Sequence, residues 1–305
     1  MPIPFTDTPE LFANPLELLA TPAELRLWSE RLRAAGLSVG MVPTMGALHA
    51  GHRSLIDRAV AENDRVVVTI FVNPAQFGPS EDFARYPRTM DADLEVLVAA
   101  GVDAAFVPSV ETMYPPGLVT RLDISGPLGD RLEGTSRPGH FNGVALVVTK
   151  LLVAGLPDRA YFGQKDAQQC AVVRRLARDL DTGVEIVVCP TVRDPDGLAI
   201  SSRNVYLSPE ERMRALAIPS SLAAAIARFE AGERDATALA TTVRSCLEKE
   251  RLDVDYVAVV EADTFSEVET AAPTNQIVLA ARIGSTRLID VVRLGVDTAP
   301  VGRGV

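Results

Sequence analysis

Two of the three histidines in this chain of 305 residues, His49 and His52, stand three apart in the stretch PTMGALHAGH, which runs from Pro43 to His52. At the opening of a helix that spacing lets both imidazoles lie over one helix end. Backbone N–H groups and the positive end of the macrodipole already make such an end attractive to phosphate. Gly46 and Gly51 permit close approach of backbone to ligand. Local hydrogen bonding would satisfy the same spacing, and a metal site would need His140 or a carboxylate as a third ligand.

A second group is GQKD, Gly163 to Asp166, between an apolar run and an amphipathic one. Lys165 there can reach a phosphate as a point cation while Asp166 faces a ribose hydroxyl or a metal. The chain writes its 30 basic residues almost entirely as arginine, so Lys165 stands out beside only Lys150 and Lys249. A third group is ISSRN, Ile200 to Asn204, in which Ser201 and Ser202 offer hydroxyls and Arg203 a planar fork for phosphate oxygens. Gln76, Gln164, Gln168 and Gln169 are neutral readers of hydroxyl and carboxylate groups. Neither GxxxxGK[ST] nor GxGxxG occurs, so the two commonest phosphate loops are excluded.

Strands and helices in alternation must position these groups. LSVGMVP (37–43), RVVVTIFV (65–72), AAFVP (104–108), Arg159 to Phe162 and VEIVVCPTV (184–192) read as buried strands. Thr21-Pro22-Ala23-Glu24 starts a first helix with a capping box. Further helices are expected near 50–62, 90–100, 143–153 and 167–180. The alternation predicts a Rossmann-like, doubly wound α/β domain with a parallel sheet, over residues 1–191. In such a sheet the ligand sits beyond the carboxyl ends of the strands, where strand order reverses. The segments that follow the strands, PTMGALHAGH, NPAQFG, GQKDAQQ and RDPDGLAISSRN, are polar and marked by glycine or proline. They should converge on one crevice. Beyond residue 192, helices over about 209–230 and 236–251 precede three strands, which predicts a smaller α+β domain over 192–305.

Composition limits the partners. The chain is 47% hydrophobic and 23% charged, a globular balance. A net charge of −10 argues against nucleic acid, which needs a basic face. Cys170, Cys189 and Cys246 form no CxxC pair, so no disulfide framework or zinc knuckle is expected. The longest apolar stretch, Gly143 to Leu156, carries Lys150 and is too short to span a bilayer. The N-terminal residues lack the pattern of a secretory signal. We expect a soluble, cytoplasmic protein without a membrane partner.

PTMGALHAGH is similar to the HxGH signature of the nucleotidyltransferase superfamily. Followed by TIFVNPAQF, YPRT, RPGHFNGV, YFGQKDAQQ and DGLAISSRN, the run from about Leu37 onward resembles the pantothenate synthetase (pantoate-beta-alanine ligase) family. The resemblance implies a Rossmann-like domain with a C-terminal lid, a homodimer, and ATP with Mg2+. It implies ATP contacts from Met45, Gly46, His49 and His52, from Gly163, Gln164, Lys165 and Asp166, and from Val192, Ile200, Ser201, Ser202 and Arg203. Pro43, Asn73, Gln76, Arg137 and Gln169 are implied for pantoate, Gln76 also for beta-alanine. His52 is the histidine such enzymes use as proton donor, and His49, Lys165, Ser202 and Arg203 are expected beside it in catalysis. No residue is assigned to the metal. The implied reaction joins pantoate to beta-alanine through pantoyl adenylate and releases pyrophosphate and AMP. Family members commonly carry Met at the positions of Ala75 and Ile200 and an aromatic at that of Ala167. These departures bear on packing around the pocket, hence on affinity more than on reaction type.

Overall fold

The structure is a computed structural model and describes residues 16–79 and 81–300. Six strands, β1 (Glu17–Leu19), β2 (Val39–Thr44), β3 (Arg65–Ile70), β4 (Ala104–Phe106), β5 (Arg159–Gly163) and β6 (Glu185–Cys189), form one sheet. Its order is β1-β4-β3-β2-β5-β6, and every pairing is parallel. The chain winds outward from β2 through β3 to β4, then returns to the other side of β2 for β5 and β6. Strand order therefore reverses between β2 and β5.

The crossovers carry α1 (Pro22–Ala34), α2 (Ala50–Glu62), α3 (Met90–Ala99), α7 (His140–Gly155) and α8 (Ala167–Asp179). Three one-turn helices, α4 (Val110–Met113), α5 (Pro127–Asp130) and α6 (Glu133–Ser136), lie between β4 and α7. The Thr21 hydroxyl caps α1 and Glu24 reaches back to the cap backbone, as predicted. Alternation along the strands sorts the core into two layers. Met41 and Val67 pack under α1, α7 and α8 with Trp28, Val144 and Val173. Val42 and Val68 pack on the opposite face under α2 and α3 with Ile56 and Leu97. That is why RVVVTI reads as a continuous β-branched run.

The second sheet is antiparallel, β7 (Asp253–Val260), β8 (Gln276–Ile283) and β9 (Thr286–Arg293), in that order. α9 (Pro209–Ala215), α10 (Ala217–Glu230) and α11 (Ala236–Lys249) precede it. Leu222, Ile226, Leu239 and Val243 cover one face through Ile277, Leu279 and Ala281. The other face, at Ala258, Val260 and Val278, meets Ala167 and Ala171 of α8. Arg287 of β9 adds a polar tie, donating to both oxygens of buried Glu133 at 2.9 and 2.6 Å.

Three expectations need correction. The helix expected over 209–230 is two helices that part at Leu216, because Pro219 has no N–H to donate to the Ala215 carbonyl. The strand expected to reach 192 ends at Cys189, just before Pro190. β1, only three residues long, is an addition to the expected strands. No helix among the described residues is long and apolar enough to cross a membrane.

Candidate active site

The strand ends at the reversal do converge. Pro43, near the end of β2, with Met45, His49 and His52 after it, faces Gly163, the last residue of β5, with Lys165, Asp166 and Gln169 after it, across one cleft. Asn73 and Gln76 after β3 and Arg137 before α7 join them, as do Val192, Ile200, Ser201, Ser202 and Arg203 after β6. Gly46 and Gln164 do not line it. Gly46 turns toward Asp93 and Ile70 behind the loop, while the Gln164 side chain is buried and donates to Asp297.

His49 is the N-cap of α2, and its ring stacks on that of His52 with centroids 4.0 Å apart. The His49 backbone N–H donates to His52 Nδ1 at 3.4 Å. A nitrogen that accepts carries no proton, so the proton of neutral His52 sits on Nε2. Burial first, then the His49 ring and the Lys165 charge, push the His52 pKa down to about 3. His49 is lowered as well, by burial and then by Lys165, and its Nδ1 is buried with no partner among the described residues. The pair is thus neutral at physiological pH and presents an N–H donor. Gly51 makes room for it: a Cβ there would lie 2.9 Å from His49 Cε1 and 3.0 Å from Nδ1. Gly51→Ala should therefore raise helix propensity yet dislodge the His49 ring, costing about tenfold in turnover. A wild-type rate in that variant would show that the ring position is immaterial.

His140 is spoken for. Its Nδ1–H donates to the Gln76 carbonyl at 2.8 Å, and Nε2 accepts from Arg137 Nη1 at 3.1 Å. With both nitrogens engaged it completes no metal site with His49 and His52. Among the described residues no cluster of three or more metal-ligating side chains occurs. Burial, then the Arg137 charge, lower its pKa to about 4.

The three lowered histidines, His49, His52 and His140, fix the sign of a pH effect on stability. Below the ordinary value of 6.5 the unfolded chain binds protons that the folded chain refuses, so stability rises with pH. Their contribution is complete above 6.5 and is lost as pH falls toward their folded values. Carboxylates titrate lower, near about pH 4. The melting temperature should fall between about pH 7.5 and pH 5.5, and His52→Asn should flatten that slope. Parallel slopes would mean that His52 does not titrate on unfolding as described.

The remaining walls are held by networks. Asn73, only 1% exposed, donates to Gln76 Oε1 at 3.0 Å and to the Gly143 carbonyl at 3.2 Å, and accepts from Tyr114 Oη at 2.7 Å. It orients Gln76, whose amide also reaches Met45 Sδ at 3.1 Å. Gly143 lets α7 approach this segment, since a Cβ would lie 2.0 Å from the Ala75 carbonyl oxygen. Two adjacent carboxylates hold the two arginines: Glu81 takes Arg137 through two bonds of 2.7 Å, and Asp82 takes Arg203 at 3.1 and 3.0 Å. Burial raises both carboxyls, but the guanidinium bonds outweigh it and leave both below their ordinary values. Ser202 lies 3.4 Å from the Tyr86 hydroxyl. Phe71, Val144, Val147, Val148 and Leu151 supply an apolar wall. Spacing did not reveal Tyr86, Tyr114, Glu81, Asp82 or that wall, although Tyr86 lies in the quoted motif YPRT, Phe71 in TIFVNPAQF and Val144 in RPGHFNGV.

The chain has known relatives. Residues 17–293 match the profile of the family described as Pantoate-beta-alanine ligase. A pantothenate synthetase of Roseiflexus sp. strain RS-1 is 54% identical over 276 residues, 90% of this chain and 98% of that relative. One from Moorella thermoacetica is 50% identical over 287 residues, covering 92% of this chain and 100% of its own length. Among solved structures, pantothenate synthetase from Thermus thermophilus superposes with a TM-score of 0.87 at 45% identity, over 91% of this chain and 99% of that one. Pantoate-beta-alanine ligase from Francisella tularensis, complexed with beta-gamma ATP and beta-alanine, gives 0.73 at 34%, over 91% and 97%. The histidine pair, the lysine turn and the glutamine wall thus stand on the fold of a known enzyme family, and this chain belongs to it: the pantoate-beta-alanine ligases.

Proposed function

We propose that the cleft condenses (R)-pantoate with beta-alanine, using ATP, in two half-reactions. A pantoate carboxylate oxygen attacks the α-phosphorus, the bond to pyrophosphate breaks, and pantoyl adenylate forms. The beta-alanine amine then attacks the acyl carbon, AMP leaves, and the amine proton passes to solvent. One observation carries the reading: Lys165 and the neutral histidine pair, groups suited to phosphate, line the same cleft as Gln76 and Gln169, neutral readers suited to pantoate.

Catalysis here is positioning and stabilisation of charge on phosphoryl oxygens, with no covalent nucleophile. His52 Nε2–H, His49, Lys165, Ser202 and Arg203 act on the phosphates, Arg203 by exchanging Asp82 for phosphate oxygens. Met45, Gly163, Val192, Ile200 and Ser201 hold the nucleotide. Pro43, Gln76 and Gln169 hold pantoate, with Asn73 and Arg137 fixing the segment that carries Gln76. The apolar wall keeps water from the acyl adenylate. Asp166 is the only carboxylate lining the cleft among the described residues, so Mg2+ fits best as an ion carried by the triphosphate, whose charge it neutralises.

The separate cores support a boundary near 191/192, with residues 192–305 acting as a lid. Resemblance supports a homodimer, testable by sedimentation velocity, and cytoplasmic residence, testable by fractionation. The function itself is tested by pantoate-dependent exchange of labelled pyrophosphate into ATP without beta-alanine, followed by addition of the amine. Exchange that requires pantoate, then AMP release, is expected. ATP binding without exchange on any carboxylate would overturn the reaction.

A further inference from the structure

We propose that Asp93 is the positioning residue of the histidine loop, a role that rests on the reading of the site given above. β2 ends at Thr44 and α2 starts at Ala50, so five residues must turn the chain and deliver His49 to the helix end. They do so through two successive left-handed residues, Gly46 at φ 79° and Ala47 at φ 51°. An alanine stays in that region only where its surroundings fix it. The carboxylate of Asp93, carried on α3 from a different crossover, fixes it here. One oxygen accepts from the Ala47 N–H at 2.9 Å and the other from the Leu48 N–H at 2.8 Å. The Thr89 hydroxyl adds a third bond at 3.2 Å.

The site is closed around that carboxylate. Asp93 is 2% exposed, and an ideal Cβ on Gly46 would lie 2.9 Å from its Oδ2. A carboxyl group with an acceptor oxygen on each side can take two adjacent amides and a hydroxyl at once; an amide would turn its own N–H against one of them. Leu48 precedes His49 directly, and His49 donates its N–H to the ring on which it stacks. An error at residues 47 and 48 is therefore passed to both imidazoles. Asp93 touches none of the residues placed around pantoate, so its loss should fall on the rate rather than on pantoate binding.

The test uses Asp93→Asn, with Thr89→Val and Gly46→Ala as independent perturbations of the same contact. In pyrophosphate exchange, measured well below each variant's melting temperature, Asp93→Asn should lower kcat about 30-fold and leave the pantoate KM within about twofold. Thr89→Val should show the same split at about threefold. Gly46→Ala keeps the carboxylate but pushes the loop from it, and should lose kcat alone. A second readout needs no turnover, since three histidines give three resolvable sets of ring resonances. Asp93→Asn should shift those of His49 and His52 and leave His140 in place. Unmoved His49 and His52 resonances, or kcat and pantoate KM failing together, would overturn the proposal. If Asp93→Asn does not fold, the other two variants decide by the same criteria. Absence of exchange by the unmodified protein would defeat the proposed reaction, while the resonance shifts would still decide the role of Asp93.

Discussion

Lys165→Ala should slow formation of the adenylate by about 10²- to 10³-fold while changing pantoate affinity less than about twofold. The expectation follows from where the ammonium sits. β5 delivers it through a single 3-10 turn, Gln164–Asp166, to the N-terminus of α8, where the helix dipole has the same sign as its charge. Its side chain is 19% exposed, and Asp166 Oδ1 lies 4.0 Å away, too far for a tight ion pair. The charge is close enough to depress both His49 and His52, which places all three groups around one point. On the proposed reaction that point collects phosphate charge as the bond to pyrophosphate breaks, when a cation in a partly dry cleft is worth most. Pantoate is assigned instead to Gln76 and Gln169, which the substitution leaves intact. Single-turnover rates and pantoate titration separate the two effects. Lost pantoate affinity with an unchanged single-turnover rate would place the lysine on the wrong substrate.

The route to this site was readable in the sequence where the chemistry is local. RVVVTI had to be a strand covered on both faces, and the histidine spacing had to stand at a helix opening, because each signal lies within a few adjacent residues. Convergence of the strand ends followed from alternation alone. What escaped is contact between distant segments. Asp93 looks like any acidic residue in the first turn of a helix until the loop 45 residues earlier supplies its two N–H groups. Glu81 and Asp82 show nothing in their spacing of the arginines at 137 and 203. Gln164 sits inside a matched motif, yet its side chain turns to Asp297, since neighbours on a one-turn helix point different ways. Pro219 was visible, and its effect on Ala215 could have been read.

His52 decides whether the cleft works by proton transfer or by hydrogen bonding. His52→Ala should slow adenylation about 10²-fold, because it removes a donor aimed at developing charge. His52→Asn should recover roughly tenfold of that loss, the worth of a hydrogen bond to a charged acceptor. Its side-chain oxygen can take over from Nδ1 in accepting the His49 N–H, which keeps the cap at the head of α2, and its amide still offers an N–H. His52→Gln, which carries an N–H farther out toward the place of Nε2, should do at least as well. Neither amide can give up a proton. A pKa of about 3 means that the histidine itself holds no transferable extra proton near neutrality, and the accepting Nδ1 leaves Nε2–H as a fixed donor. The same reasoning predicts no loss of rate attributable to His52 between about pH 7.5 and pH 5.5, provided folding is intact. If Asn and Gln are as slow as Ala, hydrogen bonding alone is insufficient and the imidazole must move a proton after all. If the amides recover the rate, the neutral ring acts through its N–H, and burial beside His49 and Lys165 is what keeps it neutral.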